Sequence, residues 1–480
     1  MKSIRPTLLI AAVLVASMHS ANAEVSFVRE IAPIILKRCV GCHGEKINLG
    51  GYRANTFEYL MKRSGSGALP VKPGDPDRSA LFRLISTTNS SLRMPKGDDP
   101  LTLSQVALVR RWILEGARYD GQDPRASLSA AIGPRSHPAA PAAYRAAQPV
   151  LALAFIPSSA GDMIAVGGYN EVTIWNSATD ALIRRIGDLP QRIQSLQISL
   201  DGTKLLVAGG TPGEYGEADI VDLKSAAKPE LLGTYSDIAL SAVYDKSGDR
   251  IAVGGADGAV SEYDAATHRR LWTSAIHSDW VTSVSFSADG KFVASASKDM
   301  TVKVHNAQDG SLYTTYMGHC RQLGDYKGQD PVYSVRFLPE LPTAVSAGGG
   351  KWIQMWDPVK TKDEAGSAAD MEERFAKQGH AKYIEHGLHP PVLALTVGGM
   401  TMFAASADGA VKQFNLNTLK EVRAYAGFTD WVYSIDYDPE RHLVAAGGYN
   451  GEVRIWDTQT GTCVTSFVAS IGVRSSANAR

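Results

Sequence analysis

The sequence predicts a mainly β protein, in which a seven-bladed β-propeller follows a small α-helical domain. From Val150 onward the chain repeats a strand–turn–strand unit, and the residues that end the units lie 46, 42, 42, 51, 58 and 42 positions apart. Before Asp120, apolar residues instead recur at helical spacing. Glycine is frequent, with 45 residues in 480 and no collagen-like period, as expected for a body with many tight turns.

Residues 1–23 are predicted to be an export signal. Lys2 and Arg5 form a short basic region, residues 7–17 are apolar, and Ala21 to Ala23 form a small-x-small cleavage site. The apolar run is too short to span a bilayer, and no other stretch of the sequence qualifies. We therefore expect cleavage after Ala23, a periplasmic mature chain in an oxidising compartment, and no transmembrane segment after cleavage.

Residues 24–119 are predicted to form the helical domain. Phe27 and Ile31 begin an apolar stripe at helical spacing. A later helix is predicted to begin after Thr102 or Ser104 as the N-cap residue and to stop at Gly116.

The next segment, residues 120–149, is rich in Ala, Pro and Ser and is predicted to be a semi-extended linker.

Charge is divided unevenly along the chain. Between Glu24 and Asp120 there are 15 lysines and arginines against 10 acidic residues, whereas after Asp120 there are 32 against 39. The basic first domain could dock on an acidic partner or on the acidic body that follows it. Neither part is basic enough to indicate nucleic-acid binding.

Residues 150–480 contain seven repeat units. Each unit has an apolar strand, a turn of Gly, Asp or Asn, and an alternating strand, and another strand usually precedes them. The units end at Asn176, Asp222, Asp264, Asn306, Asp357, Asn415 and Asp457. A period near 42 residues with four strands per unit predicts one propeller blade per repeat.

The repeats resemble the WD-repeat family over about two-thirds of the chain. The resemblance rests on IWN, MWD and IWD at the ends of three units, and on Gly-His at 318–319 and 379–380. It implies that loops entering a blade and loops between a blade's second and third strands share one face. Insertions at 211–219, 320–331 and 358–391 exceed the period, so we expect much of their length to crowd that face, where long loops commonly carry function.

The segment RCVGCHGEK places Cys39 and Cys42 three residues apart, with His43 directly after them. It is compatible with half of a zinc site, a redox dithiol, a covalent haem anchor or a chance pattern. In a haem anchor, two thiols one helical turn apart each add to a haem vinyl group, and the adjacent imidazole ligates the iron. A zinc site needs two further ligands, but the other cysteines, Cys320 and Cys463, are far apart in the chain. A thioredoxin-like dithiol needs a βαβ context, whereas the flanks here are predicted helices.

A six-coordinate haem needs a second axial ligand, and methionine is a common one because its soft thioether raises the reduction potential. Met94 lies 51 residues after His43, in the predicted loop SSLRMPKGDDP. Met61, in a predicted helix, is the alternative, and a methionine can also simply fill a gap in a core. Met94 is therefore the predicted ligand.

The first domain resembles the single-haem cytochrome domain of many planctomycete and other bacterial exported proteins. The family pattern is matched at Ile31 to Leu36, Cys39 to His43, Gly50-Gly51, Pro73 to Ser79, Met94-Pro95 and Trp112 to Ala117. The resemblance covers essentially all of residues 24–119. It implies one covalent haem c on Cys39 and Cys42, axial ligation of its iron by His43 and Met94, and a fold like that of class I cytochromes c.

A second group of metal-capable side chains lies in the insertions near the fifth blade. Its members are His319, Cys320, His380, His386 and His389. His319 and His380 match the Gly-His pairs of WD repeats, in which the histidine serves a structural hydrogen-bond network. His386, His389 and Cys320 are left as a possible metal or cofactor site.

These features predict an exported c-type cytochrome that transfers single electrons, with the propeller as a docking scaffold for a redox partner protein. One alternative is a haem-dependent periplasmic oxidoreductase whose propeller carries a second cofactor or metal, as in cytochrome cd-type nitrite reductases. Those enzymes and the quinoprotein dehydrogenases have eight blades of other kinds, whereas this chain has seven WD-like repeats. A haem-based sensor is the other alternative. No catalytic set is evident, so the sequence favours an electron carrier over an enzyme.

Overall fold

The computed structural model divides the chain into two compact units, Met1–Ala131 and Ile132–Arg480. It describes residues 24–473 apart from 45–46, 65–66, 97–98, 133–136, 158–161, 321, 324–325, 328–329, 367–378 and 390. The predicted signal peptide lies outside the described residues. Within the described residues, no helix is long and apolar enough to cross a membrane.

The first unit is helical. Its α-helices are α1 (Ala32–Arg38), α2 (Phe57–Met61), α3 (Ala80–Ser86), α4 (Leu103–Leu114) and α5 (Leu128–Ile132), with single helical turns at Phe27–Ile31, Leu49–Gly51 and Pro76–Arg78. Thr102 caps α4, because its hydroxyl accepts the N–H of Gln105 while the Gln105 side chain accepts the N–H of Thr102. The core forms around Phe27 and Trp112, which are both buried with ring centroids 5.3 Å apart.

The segment predicted as a linker is attached to both units. In the first unit, Asp120 accepts the hydroxyl of Ser26 at 2.5 Å, and Leu128 is buried. In the second unit, the hydroxyl of Tyr144 donates to the carboxylate of Glu171 at 2.6 Å. The two ends of the segment therefore belong to different units.

The second unit is a propeller whose described residues form seven four-stranded antiparallel sheets, each made from four consecutive strands. Blade one has β1 (Leu153–Ile156), β2 (Met163–Gly167), β3 (Val172–Asn176) and β4 (Leu182–Ile186); blade two has β5 (Arg192–Ile198), β6 (Lys204–Thr211), β7 (Tyr215–Asp222) and β8 (Glu230–Tyr235). Blade three has β9 (Ala239–Tyr244), β10 (Arg250–Gly255), β11 (Val260–Asp264) and β12 (Arg270–Ser274); blade four has β13 (Val281–Phe286), β14 (Phe292–Ser297), β15 (Val302–Asn306) and β16 (Leu312–Tyr316). A small hairpin of β17 (Gln322–Leu323) and β18 (Tyr326–Lys327) follows.

Blade five has β19 (Val332–Phe337), β20 (Ala344–Gly348), β21 (Trp352–Trp356) and β22 (Lys382–Glu385), with helix α6 (Pro358–Gly366) after β21. Blade six has β23 (Val392–Gly398), β24 (Thr401–Ser406), β25 (Val411–Asn415) and β26 (Lys420–Tyr425); blade seven has β27 (Val432–Asp438), β28 (Leu443–Gly448), β29 (Glu452–Asp457) and β30 (Cys463–Val468). The predicted mainly β fold, with seven blades after a few N-terminal helices, is confirmed.

The Asp and Asn residues that set the sequence period lie at or directly after the end of each third strand, and in six of the seven blades the side chain caps the turn that follows. The side chain of Asn176 accepts the N–H groups two and three residues further on, at 3.0 and 2.8 Å. Asp457 does the same at 2.9 and 2.7 Å. Short carboxylate and amide side chains suit this position because they reach their own backbone two residues on.

Polar side chains on the innermost strands join neighbouring blades. The Ser334 hydroxyl of blade five accepts the N–H of Leu395 in blade six at 3.2 Å. The ring closes where Asp436 of blade seven accepts the N–H of Phe155 in blade one at 2.9 Å. Each bond links a backbone donor of one blade to a side-chain acceptor of the blade before it.

The insertions do not all crowd one end of the propeller. The insertion at 211–219 mostly lengthens β6 and β7 to eight residues each, because the two strands stay paired up to Thr211 and Tyr215. The longest insertion, at 358–391, begins with α6 between the third and fourth strands of blade five. Strand direction alternates in an antiparallel sheet, so this connection starts at the end opposite the second-to-third turns. The expectation that the long insertions share one face is wrong for this one.

Blade four contains a buried hydrogen-bond network that begins at His277. The Nδ1 atom of His277 lies 2.7 Å from the carboxylate of Asp299, and its Nε2 atom lies 2.8 Å from the hydroxyl of Ser295. Burial opposes ionisation of Asp299, but hydrogen bonds from His277 and Thr301 outweigh it and hold the pKa of that carboxyl well below its usual range.

Replacing Asp299 by asparagine is expected to lower the free energy of unfolding by about 2–3 kcal/mol at pH 7, because the amide oxygen is a weaker acceptor for His277 and Thr301. A lowered pKa adds stability above the usual aspartate pKa, near 4, and that stability is lost as the pH falls through the lowered value. The difference between variant and wild type in urea unfolding should therefore shrink from pH 7 to pH 3. An equal difference at both pH values would contradict this explanation.

Candidate cofactor site

A cavity of about 320 Å³ in the first unit is lined by Cys39, Cys42, His43 and Met94. The structure thus brings together all four site residues that the sequence predicted, although Met94 comes from a separate segment. Much of the remaining wall is aliphatic, including Leu84. The volume lies at the lower end of the roughly 300–1,000 Å³ that is usual for ligand pockets.

Helix α1 positions the two cysteines and the histidine. The N–H of Cys39 donates to the carbonyl of Ile35 at 2.9 Å, and the N–H of His43 donates to the carbonyl of Cys39 at 2.9 Å. A further helical turn therefore continues α1 and carries both thiols and the imidazole to the cavity. Cys39 is half-buried, whereas Cys42 is exposed at the cavity edge.

The imidazole of His43 is oriented by a backbone carbonyl. Its Nδ1 atom lies 3.3 Å from the carbonyl oxygen of Tyr52. Because a carbonyl oxygen can only accept a hydrogen bond, this contact places the proton on Nδ1. With the proton on Nδ1, the lone pair of Nε2 is available to a metal. The Tyr52 hydroxyl in turn donates to the carbonyl of Leu60 at 3.2 Å, which ties this segment to α2.

Met94 is held at the cavity by the end of α3. Its N–H donates to the carbonyl of Leu84 at 3.0 Å, and the N–H of Arg93 donates to the carbonyl of Asn89 at 2.9 Å in the preceding turn. The Met94–Pro95 peptide bond is cis. Met61, the alternative ligand, ends α2 and is not among the described residues that line the cavity.

The donor set fits haem better than the other interpretations of the motif. Burial raises the pKa of the Cys39 thiol to about 12, although the nearby Arg38 opposes the shift, whereas reactive Cys-x-x-Cys thiols have lowered pKa values. No group of three or more His, Cys, Asp or Glu side chains suited to a metal occurs in the described part of the chain, so a zinc site gains no support there. Two thiols, an imidazole and a thioether around an apolar cavity are the groups that a covalent haem needs.

The metal-capable side chains near blade five have other partners. The Nε2 atom of His386 lies 3.1 Å from the carbonyl of Gly350, and its Nδ1 atom accepts the N–H of Leu388 at 3.0 Å. The Cys320 thiol donates to the carbonyl of Met300 at 3.1 Å, and burial raises its pKa to about 11. Both ring nitrogens of His386 are thus engaged, and Cys320 is a protonated thiol.

The remaining histidines of that group are also engaged or exposed. His319 is buried, with Nε2 2.8 Å from the hydroxyl of Ser346, as expected for a structural Gly-His position. His380 places Nδ1 2.8 Å from the carboxylate of Glu364. His389 is exposed. The described residues therefore offer little support for the predicted metal or cofactor site in the propeller.

Comparison with known families matches parts of both units. Residues 39–98 match a family model described as Planctomycete cytochrome C, and residues 269–306 and 419–457 match the model of the WD domain, G-beta repeat.

The chain is also similar to several curated proteins. It is 23% identical over 208 residues to a guanine nucleotide-binding protein subunit beta of Zea mays, which covers 43% of this chain and 51% of that protein. It is 26% identical over 191 residues to eukaryotic translation initiation factor 3 subunit I of Aspergillus terreus, covering 38% and 54% of the two chains. The chain spans about half the length of these relatives. It thus combines a segment that matches the Planctomycete cytochrome C model with a seven-bladed propeller that contains WD40 repeats.

Proposed function

We propose that the protein is an exported c-type cytochrome that transfers single electrons through one covalent haem c, and that its propeller is an interaction scaffold for a redox partner protein. The observation that carries the proposal is the meeting of Cys39, Cys42, His43 and Met94 at one largely apolar cavity. The match of residues 39–98 to a cytochrome model supports the haem, and the WD40 repeats support the scaffold role.

Each side chain at the cavity has a role in this proposal. Cys39 and Cys42 would form the two thioether bonds of the haem, and His43 through Nε2 and Met94 through its sulfur would ligate the iron. The bound haem supplies one-electron redox chemistry. The Tyr52 carbonyl holds the proton on Nδ1 of His43, so that Nε2 stays free to ligate.

The cavity wall and the backbone complete the site. The Leu84 carbonyl fixes the backbone of Met94 beside the cavity. The aliphatic wall would exclude water from the bound haem and so favour the less charged ferrous state. Arg38 and Lys96 also line the cavity and supply positive charge for the two carboxylates of a haem.

The proposed location is the periplasm, because the predicted export signal would deliver the chain there. We propose no catalytic role for the propeller. A second cofactor site there would need His386, whose two ring nitrogens are already engaged, and Cys320, which donates to a backbone carbonyl.

Potentiometric titration of the purified full-length chain, followed by its visible spectrum, tests the proposal. We expect one wave for a one-electron change, and a low-spin c-type spectrum in both oxidation states. A second chromophore, a second wave or one metal per chain beyond the haem iron would contradict a pure electron carrier.

A further inference from the structure

The central channel of the propeller contains a second cavity, of about 510 Å³, lined by the innermost strands of the blades. It lies wholly within the second unit, so no part of it depends on the proposed haem. Most of its polar lining side chains are uncharged, but three charged residues also line it. Lys246 is exposed in the connection after β9, whereas Arg336 and Asp436 lie on innermost strands.

The strand registers place these two charges at one level of the channel. In each blade, the first strand pairs with the second. The pairing registers identify one residue of each first strand that occupies the equivalent position in its blade. In blades two to seven this residue is Gln197, Val243, Ser285, Arg336, Thr396 and Asp436, paired with Leu206, Ala252, Ala294, Val345, Phe403 and Ala445. We call these six side chains the channel ring. Blades five and seven carry its two charges.

Arg336 uses only part of its hydrogen-bonding capacity within the protein. Its Nη1 atom donates to the hydroxyl of Ser283 and to the carbonyl of Val335, both at 2.8 Å. Among the described residues, no acceptor lies within hydrogen-bond distance of its Nε or Nη2 atoms. Arg336 is half-buried, and its partial removal from water lowers the pKa of the guanidinium.

Asp436 carries the opposite charge on the other side of blade six. Its Oδ2 atom accepts the N–H of Phe155 at 2.9 Å, and burial raises the pKa of the carboxyl to about 6, so that most of it is ionised at pH 7.5. Within the described residues, no nitrogen of Arg336 lies within 4 Å of its oxygens. The two charges thus face one cavity without forming a direct ion pair.

Each charge has an aromatic neighbour on its own strand. Tyr333 lies in a β-bulge between Val332 and Ser334, and Tyr433 lies in a β-bulge between Val432 and Ser434. Both tyrosines line the cavity, three residues before Arg336 and Asp436 respectively. Bulges commonly re-aim a side chain beside a binding site.

We propose that the channel ring binds a small zwitterion that carries one carboxylate and one ammonium group. The carboxylate accepts hydrogen bonds from Nε and Nη2 of Arg336, a pair of donors whose geometry matches a carboxylate. The ammonium group lies near Asp436. Both side chains are half-buried, and a charge that is partly removed from water is stabilised by an opposite charge. A zwitterion pairs both charges at once, whereas a ligand with a single charge pairs one.

Calorimetric titration of the full-length chain at pH 7.5 tests this site. The probes are glycine, 4-aminobutyrate and 6-aminohexanoate, which separate the two charges by increasing lengths. Butyrate and butylammonium are the matched probes with one charge each. We expect at least one zwitterion to bind at least tenfold more tightly than both single-charge probes.

Two substitutions in the channel ring and one outside it complete the test. Arg336→Gln and Asp436→Asn should each weaken binding of the best zwitterion at least tenfold. Lys420→Gln, which removes an exposed charge on the outermost strand of blade six, should leave it unchanged. Asp436 also joins blades seven and one, so its replacement could unfold the propeller. Each variant is therefore first compared with wild type by circular dichroism and thermal unfolding. If Asp436→Asn is unfolded, the binding measured for Arg336→Gln tests the proposal by itself. Binding of no zwitterion, equal binding of butyrate, or binding that survives both charge substitutions would overturn the proposal. None of these outcomes bears on the haem.

Discussion

Replacing Cys39 and Cys42 together by alanine is expected to abolish covalent haem attachment. Both thiols line the cavity and lie on the helical turn that carries His43, so removing them leaves no thiol there to add to a haem vinyl group. Extraction of the purified protein with acidified organic solvent should remove all haem from the variant and none from the wild type.

The chain provides a matched control for this experiment. Cys320 and Cys463 are its other two cysteines, and both belong to the propeller unit. The double substitution Cys320→Ala with Cys463→Ala removes the same number of thiols and should keep the haem. Retention of extraction-resistant haem by the Cys39/Cys42 variant would show that the attachment site lies elsewhere.

Replacing Met94 by alanine is expected to leave the haem attached while removing its sulfur ligand. The thioether stabilises ferrous iron, so the reduction potential should fall by on the order of 0.1 V or more, within the roughly 0.8 V range that axial ligands span. The weak sulfur-to-iron absorption at the red end of the oxidised spectrum should disappear.

Met61→Ala is the matched control for the methionine ligand, because Met61 ends α2 and is not among the described residues that line the cavity. It should keep both the red absorption and the wild-type potential. A Met94→Ala variant that retains the absorption would exclude Met94 as the ligand, and its loss in the Met61 variant would assign that role to Met61.

The propeller could be predicted from the sequence because one local interaction recurs in most blades. Residues such as Asn176 and Asp457 cap the turn after the third strand. Because that turn favours a short polar side chain, Asp or Asn recurs at the period of the blades. The secondary structure of the insertions could not be predicted from the sequence. Whether extra residues lengthen a hairpin, as in β6 and β7, or form a helix such as α6, depends on packing against neighbouring strands.

The candidate site was predictable where its chemistry is carried by adjacent side chains, as in Cys39 to His43. Its supporting contacts were not, because the carbonyls of Tyr52 and Leu84 are backbone groups that any residue could supply. His277 was also missed, although its network resembles the predicted role of the Gly-His pairs.

The sequence did not indicate that Arg336 and Asp436 face the same cavity. They lie 100 residues apart in sequence, and they line one channel because each repeat places the same position at the same level. The contacts of the predicted linker could not be predicted from the sequence either. Its composition indicated an extended segment, but could not show that His137 would place Nε2 3.0 Å from the buried carboxylate of Glu217.

Mass spectrometry of a tryptic digest tests the haem proposal most directly. Trypsin cleaves after Arg38 and Lys46, which releases Cys39 to Lys46 as one peptide, CVGCHGEK. For the chain exported by a host that attaches haem c, we expect this peptide to carry the mass of one haem, with fragment ions that place a thioether on each cysteine. The same peptide with two free thiols, or with a disulfide between them, would contradict the assignment of this chain as a c-type cytochrome.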